Sequence, residues 1–159
     1  MRRATGATEL APVAGGAYSV RVPAGFLRHA NAMPCTIAID PARQVVFTTS
    51  TGLVTDSDLI GVLATMRESK VFHPDMRCLS DYTRVTEFRI SAVTMGTLAA
   101  AQPFSAKARR AFLVRAGAVA EALEVYCRSV PQGQIRLFNE RDRALAWLNE
   151  DVTMVQALT

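Results

Sequence analysis

Residues 78–102 read CLSDYTRVTEFRISAVTMGTLAAAQ, and the architecture is decided here. Cys78 and Leu79 belong to a short apolar run, Met76–Asp81, of the length and composition of a buried strand. A polar segment follows. From Ser91 the composition shifts to small side chains, Ala92, Gly96 and Ala99 to Ala101, which let a helix lie close to a sheet. Ser91 is a favoured N-cap, and Pro103 forbids continuation of the helix beyond Gln102. The stretch therefore predicts a strand, a polar corner and a helix.

Working upstream, Cys35–Ile39 and Gln44–Ser50 are β-rich runs joined by Asp40-Pro-Ala-Arg43. Proline after aspartate favours a type I turn, and so predicts a hairpin that Gly52 ends. Ile37, Ile39, Val45 and Phe47 supply its buried face. Thr55 can cap a following helix, with Asp56 and Asp58 against the positive end of its dipole. Leu59, Ile60, Leu63 and Met66 form its apolar stripe, and Pro74 lies beyond its exit.

Downstream, Ala111–Val114 is short and apolar, as buried parallel strands are. Gly117–Val130 predicts a third helix, with Val119, Ala122, Leu123 and Tyr126 on one face. Ile135–Phe138 is a fifth strand, and a last helix carries Leu145 and Leu148 inward. Strands separated by helices need right-handed crossovers and build a mostly parallel sheet. The predicted fold is α/β: one domain, a five-stranded mostly parallel sheet with an N-terminal hairpin, and four helices. Its expected bounds are 34–150, preceded by a flexible extension over 1–33 and followed by a tail over 151–159. Within the extension, Tyr18–Val22 alternates as a strand would.

Composition narrows the function classes. The net charge of +4 is concentrated in residues 1–33, where four arginines face one glutamate. The near-neutral remainder is not built to neutralise a phosphate backbone, so nucleic acid is not an expected partner. The three cysteines, Cys35, Cys78 and Cys127, are odd in number and widely spaced. That spacing argues against a disulfide framework or a zinc site and fits a reducing cytoplasm. No apolar run reaches the length of a membrane span, and no apolar stretch follows Arg2-Arg3 as a signal peptide requires. His29 and His73 have no partners at metal-ligand spacing, so no metal and no cofactor are expected.

Three patterns in order resemble the SpoIIAA-like family of STAS/SEC14-type domains. They are the hairpin followed by Gly52 to Leu59 (GLVTDSDL), Asp81 to Ser91 (DYTRVTEFRIS), and Ile135 to Leu148 (IRLFNERDRALAWL). The resemblance spans about Met33 to Glu150 and implies a β-α superhelix. In the anti-sigma-factor antagonists of this fold, the corner after the third strand reads aspartate-serine-serine-glycine and carries a phosphorylated serine. The matching positions here are Arg89, Ile90, Ser91 and Ala92, so one serine remains without the aspartate and glycine.

Candidate chemistry is sparse. Ser91 reads first as a helix cap and second as a regulatory phosphosite. Asp81 and Glu87 flank the corner at the C-terminal end of a parallel strand, where α/β sites gather. Asp81 is also placed to receive hydrogen bonds from the residues after it. Asp81, Thr83, Glu87 and Ser91 form the expected partner-binding corner, with Lys107, Arg109 and Arg110 as an anion-contact cluster. No nucleophile elbow, zinc-protease, Walker or dinucleotide motif occurs, and an enzyme is not expected. The expected function is a non-enzymatic regulatory module that binds a protein partner through the corner. The alternative is a carrier or sensor of a lipid-like apolar ligand, held by the helices 92–101 and 117–126.

Overall fold

The computed structural model describes residues 11–13, 17–20, 34–130 and 134–150. The described strands are β1 (Ala11–Val13), β2 (Ala17–Val20), β3 (Cys35–Asp40), β4 (Val45–Thr55), β5 (Arg77–Arg89), β6 (Arg109–Leu113) and β7 (Gln134–Phe138). The helices are α1 (Asp56–Glu68), α2 (Ala92–Ala100), α3 (Ala118–Ser129) and α4 (Arg141–Asn149). All seven strands join one sheet in sequence order. The pairings from β1 to β4 are antiparallel and those from β4 to β7 parallel, so three of the four pairings within β3–β7 are parallel. The α/β class, the five predicted strands, the hairpin and the four helices are all present.

Side-chain alternation along each strand sorts the core into two layers. On one face Cys35, Ile37 and Ile39 of β3, Val46 of β4 and Cys78 of β5 pack with Val62 and Met66 of α1. Phe112 of β6 continues this face beneath Leu123 of α3. On the other face Leu79, Ala111 and Leu113 meet Ala144, Trp147 and Leu148 of α4. Each such side chain taken fully out of water contributes about 1.5–3 kcal/mol. The hairpin turn is closed by Asp40, whose Oδ1 accepts the Arg43 N–H at 3.0 Å.

Two strands are longer than the sequence implies. Val45–Thr55 runs straight through Gly52, and Arg77–Arg89 runs through the segment expected to be a corner. Their distal halves pair with each other, Thr51 opposite Arg84 and Thr55 opposite Arg89. Neither neighbour follows them: β3 pairs with β4 only over residues 45–50, and β6 with β5 only over residues 78–81. Two register shifts, between Thr49 and Thr51 and between Gly52 and Leu53, each place an extra residue in β5. Such bulges bend and twist a strand. They also reset which residues face the core, so Val85 and Phe88 both pack inward though three positions apart.

The expected flexible extension falls mostly on residues outside the described set, as does the tail at 151–159. Within the extension Ala17–Val20 pairs with β3, with Tyr18 opposite Ile39, and Ala11–Val13 pairs with Ala17–Val20.

Candidate functional site

The segment predicted as a corner is a strand, and this disperses the residues placed on it. At roughly 3.3 Å per residue, Asp81 and Glu87 stand roughly 20 Å apart along β5, too far to act on one substrate bond. Asp81 Oδ1 accepts the Thr83 N–H at 2.9 Å and the Thr83 hydroxyl at 2.6 Å, while Oδ2 lies 3.5 Å from the Arg141 guanidinium. Glu87 is exposed and pairs with its strand neighbour Arg89 at 2.5 Å.

Ser91 caps α2, its Oγ accepting the Thr94 N–H at 3.1 Å. Its own N–H donates to Asp56 Oδ1 at 2.8 Å, which ties the start of α2 to the first turn of α1. These bonds hold the Asp56 carboxyl below the usual range, the Ser91 backbone N–H being the main cause. A phosphate on Ser91 would meet that ionised carboxylate at once, a like-charge contact that offsets what the α2 dipole offers.

The basic cluster is also divided, by the alternation of β6. Lys107 is in solvent. Arg109 turns toward α4, where its Nη1 donates to the carbonyls of Trp147 at 2.6 Å and Glu150 at 2.7 Å, with its guanidinium 5.4 Å from the Trp147 ring. It closes the C-terminal end of α4, the negative end of the helix dipole. Arg110 points to the opposite face and is 2 % exposed.

That face holds a pocket of about 70 Å³, open on one side, between the sheet and α1, α2 and α3. Thr48, Cys78, Ser80 and Phe112 form its floor, and Arg110 lies among them. Met66 comes from α1, Met95 and Leu98 from α2, and Leu123 and Tyr126 from α3. The bulged half of β5 adds Tyr82 and Phe88 as a further wall. Tyr82 meets Phe88 and Phe112 edge-on at 6.2 and 5.8 Å, and Phe112 stacks on Tyr126 at 5.9 Å. Such aromatic pairs contribute about 0.5–1.5 kcal/mol beyond the area they bury, so this side of the pocket is preformed.

The thiols and phenols around the pocket are held neutral. Burial pushes the Cys78 thiol up to about 11 despite the opposing Arg110 charge. Burial likewise lifts Cys127 to about 11, and raises Cys35 and the phenols of Tyr82 and Tyr126. Protonated thiols at neutral pH are poor nucleophiles. Among the described residues no group of three or more His, Cys, Asp or Glu side chains is gathered for a metal, and His73 lies in an exposed turn where its Nδ1 accepts the Asp75 N–H at 3.2 Å.

In the sequence Arg110 falls in the anion-contact cluster, just ahead of the apolar run Ala111–Val114. Beginning the strand two residues earlier places Arg110 in phase with Phe112, on the face under α3. An arginine in phase with apolar neighbours inside a short buried strand is the signal that locates it.

A hairpin, a run of parallel crossovers and helices on both faces of the sheet define the SpoIIAA-like class of α/β fold. No protein-family model matches the sequence, and no curated protein matches it. Among solved structures the chain is similar to an uncharacterised protein of the DUF3478 family from Shewanella loihica PV-4, with a SpoIIAA-like fold. The two share 20 % identity at a TM-score of 0.54, over 76 % of this chain and 98 % of that one. At this identity the likeness concerns the fold. Among the described residues no helix is long and apolar enough to cross a membrane.

Proposed function

We propose that this protein is a non-enzymatic binding module that takes a small apolar ligand between its sheet and helices α1–α3, as a carrier or a sensor. The observation behind this is the pocket, roofed by Met66, Met95, Leu98 and Leu123 and walled by a run of aromatic rings. Concave, mostly apolar sites with few polar groups are the usual form of small-molecule sites. Methionine suits such a surface because its unbranched side chain repacks around different shapes. The dispersal of Asp81, Thr83, Glu87 and Ser91 along β5 and onto α2 weighs against a single partner-binding corner. The same module would regulate a protein partner if ligand entry shifts α2, whose exposed Val93 is 80 % accessible. A cytoplasmic location suits such a module.

Titration of the full chain with hexanol, followed through the methyl resonances of Met66 and Met95, tests this. Saturable shifts confined to pocket residues are expected. Unchanged methyl resonances up to the solubility limit of hexanol would refute a ligand site here.

A further inference from the structure

Of the described side chains that line the pocket, Arg110 alone carries a charge. Its Nε and Nη2 are buried and have no hydrogen-bond partner among the described residues. None of the ion pairs among those residues includes it. Its guanidinium carbon stands 5.3 Å from the face of Phe104, and Tyr126 beside it offers only a neutral hydroxyl. An unmatched buried charge is among the costliest features a fold can hold, and most such groups escape by losing their charge. Arginine has no such route, since its guanidinium stays protonated in proteins.

The two unmatched atoms belong to one edge of the guanidinium. Nε–H and Nη2–H point in parallel and form the fork that receives both oxygens of a carboxylate. One guanidinium balances one negative charge. A phosphate monoester carries about 1.5–2 charges at neutral pH, and the other polar groups lining the pocket are neutral hydroxyls and a thiol. The cavity, at about 70 Å³, is smaller than the roughly 150 Å³ that encloses a benzene ring. Its occupant is therefore slender, with its far end toward the open side.

Resting on the pocket as a ligand site, we infer that the ligand is an apolar monocarboxylate. Its carboxylate binds the Nε–Nη2 edge of Arg110, and its short hydrocarbon chain lies against Met66, Met95, Leu98 and Leu123. The ligand thus completes a charge pair that the described residues leave open.

The full-length protein titrated separately with hexanoate, hexanol and hexyl phosphate decides the matter, with the Met66 and Met95 methyl resonances as readout. Hexanoate is expected to bind at least about tenfold more tightly than hexanol, the scale of one charge-assisted hydrogen-bonded pair, and more tightly than hexyl phosphate. Arg110→Met should abolish the preference for hexanoate over hexanol. Equal affinity of the wild-type protein for hexanoate and hexanol overturns the carboxylate while leaving the apolar site standing. Tighter binding of hexyl phosphate overturns it in favour of a phosphate head. Binding of none of the three overturns both the carboxylate and the apolar site, leaving water as the partner of Arg110. Should Arg110→Met fail to fold, the wild-type comparison of hexanoate with hexanol is sufficient.

Discussion

At the scale of single residues, Ser91 and Arg110 exchange the parts that their sequence context suggests. Ser91 sits where a related corner carries a phosphate, yet its hydroxyl oxygen caps α2 and its amide ties α2 to α1. Arg110 sits in a basic run that reads as a surface anion contact, yet it is the charge inside the pocket. Asp56, which accepts the Ser91 N–H, leads to a prediction about acid stability. Its carboxyl is lowered in the folded protein. Its contribution is therefore present above the ordinary carboxyl value of about 3.9 and is lost as the pH falls through the depressed folded value. Asp56→Asn keeps an acceptor oxygen and removes the charge. The variant should show a lower urea midpoint than the wild-type protein at about pH 5, and the two midpoints should converge as the pH falls through the depressed folded value.

At the scale of elements, the paired extension of β4 and β5 is the feature that alternation conceals. Regular alternation would have disclosed a long strand, but two bulges put Val85 and Phe88 on one face at a spacing of three. The run Asp81–Ser91 then resembles a loop with scattered apolar residues. Gly52 belongs to the same device. It lies beside a register shift with φ of +65°, a left-handed conformation that glycine adopts freely, and nothing lies within 4 Å of where a Cβ would stand. The cost of Gly52→Ala is consequently backbone strain alone, about 1–2 kcal/mol. A urea denaturation curve should show that loss. Because Tyr82 and Phe88 wall the pocket from this extension, the same variant should also weaken hexanol binding.

At the scale of the whole molecule, the sheet continues past β3 into residues ahead of the predicted domain. β3 has a partner on each side, β4 and β2. A chain beginning at residue 34 would leave the backbone N–H and C=O groups of β3 on that side unpaired, a template for pairing with other chains. Its core side chains Ile37 and Ile39 are 1 % and 0 % exposed. The truncated protein should melt at a lower temperature than the full chain and associate with rising concentration in sedimentation velocity. An unchanged melting temperature together with a monomeric truncation would show that β2 adds nothing to the edge.

The class of fold, the order of its strands, the hairpin and the four helices were decided by the sequence alone. They follow from short-range physics: turn chemistry at Asp40-Pro41, caps at Thr55 and Ser91, proline stops, and the apolar periods of each segment. The site was decided only in the tertiary structure. Which face Arg110 takes depends on where β6 begins, and that is set by its pairing with β5 and β7. Whether Asp81–Ser91 is a corner or a strand depends on Thr51–Thr55 lying beside it. Whether Arg110 has an acceptor is a property of everything packed around it, which local propensity does not record.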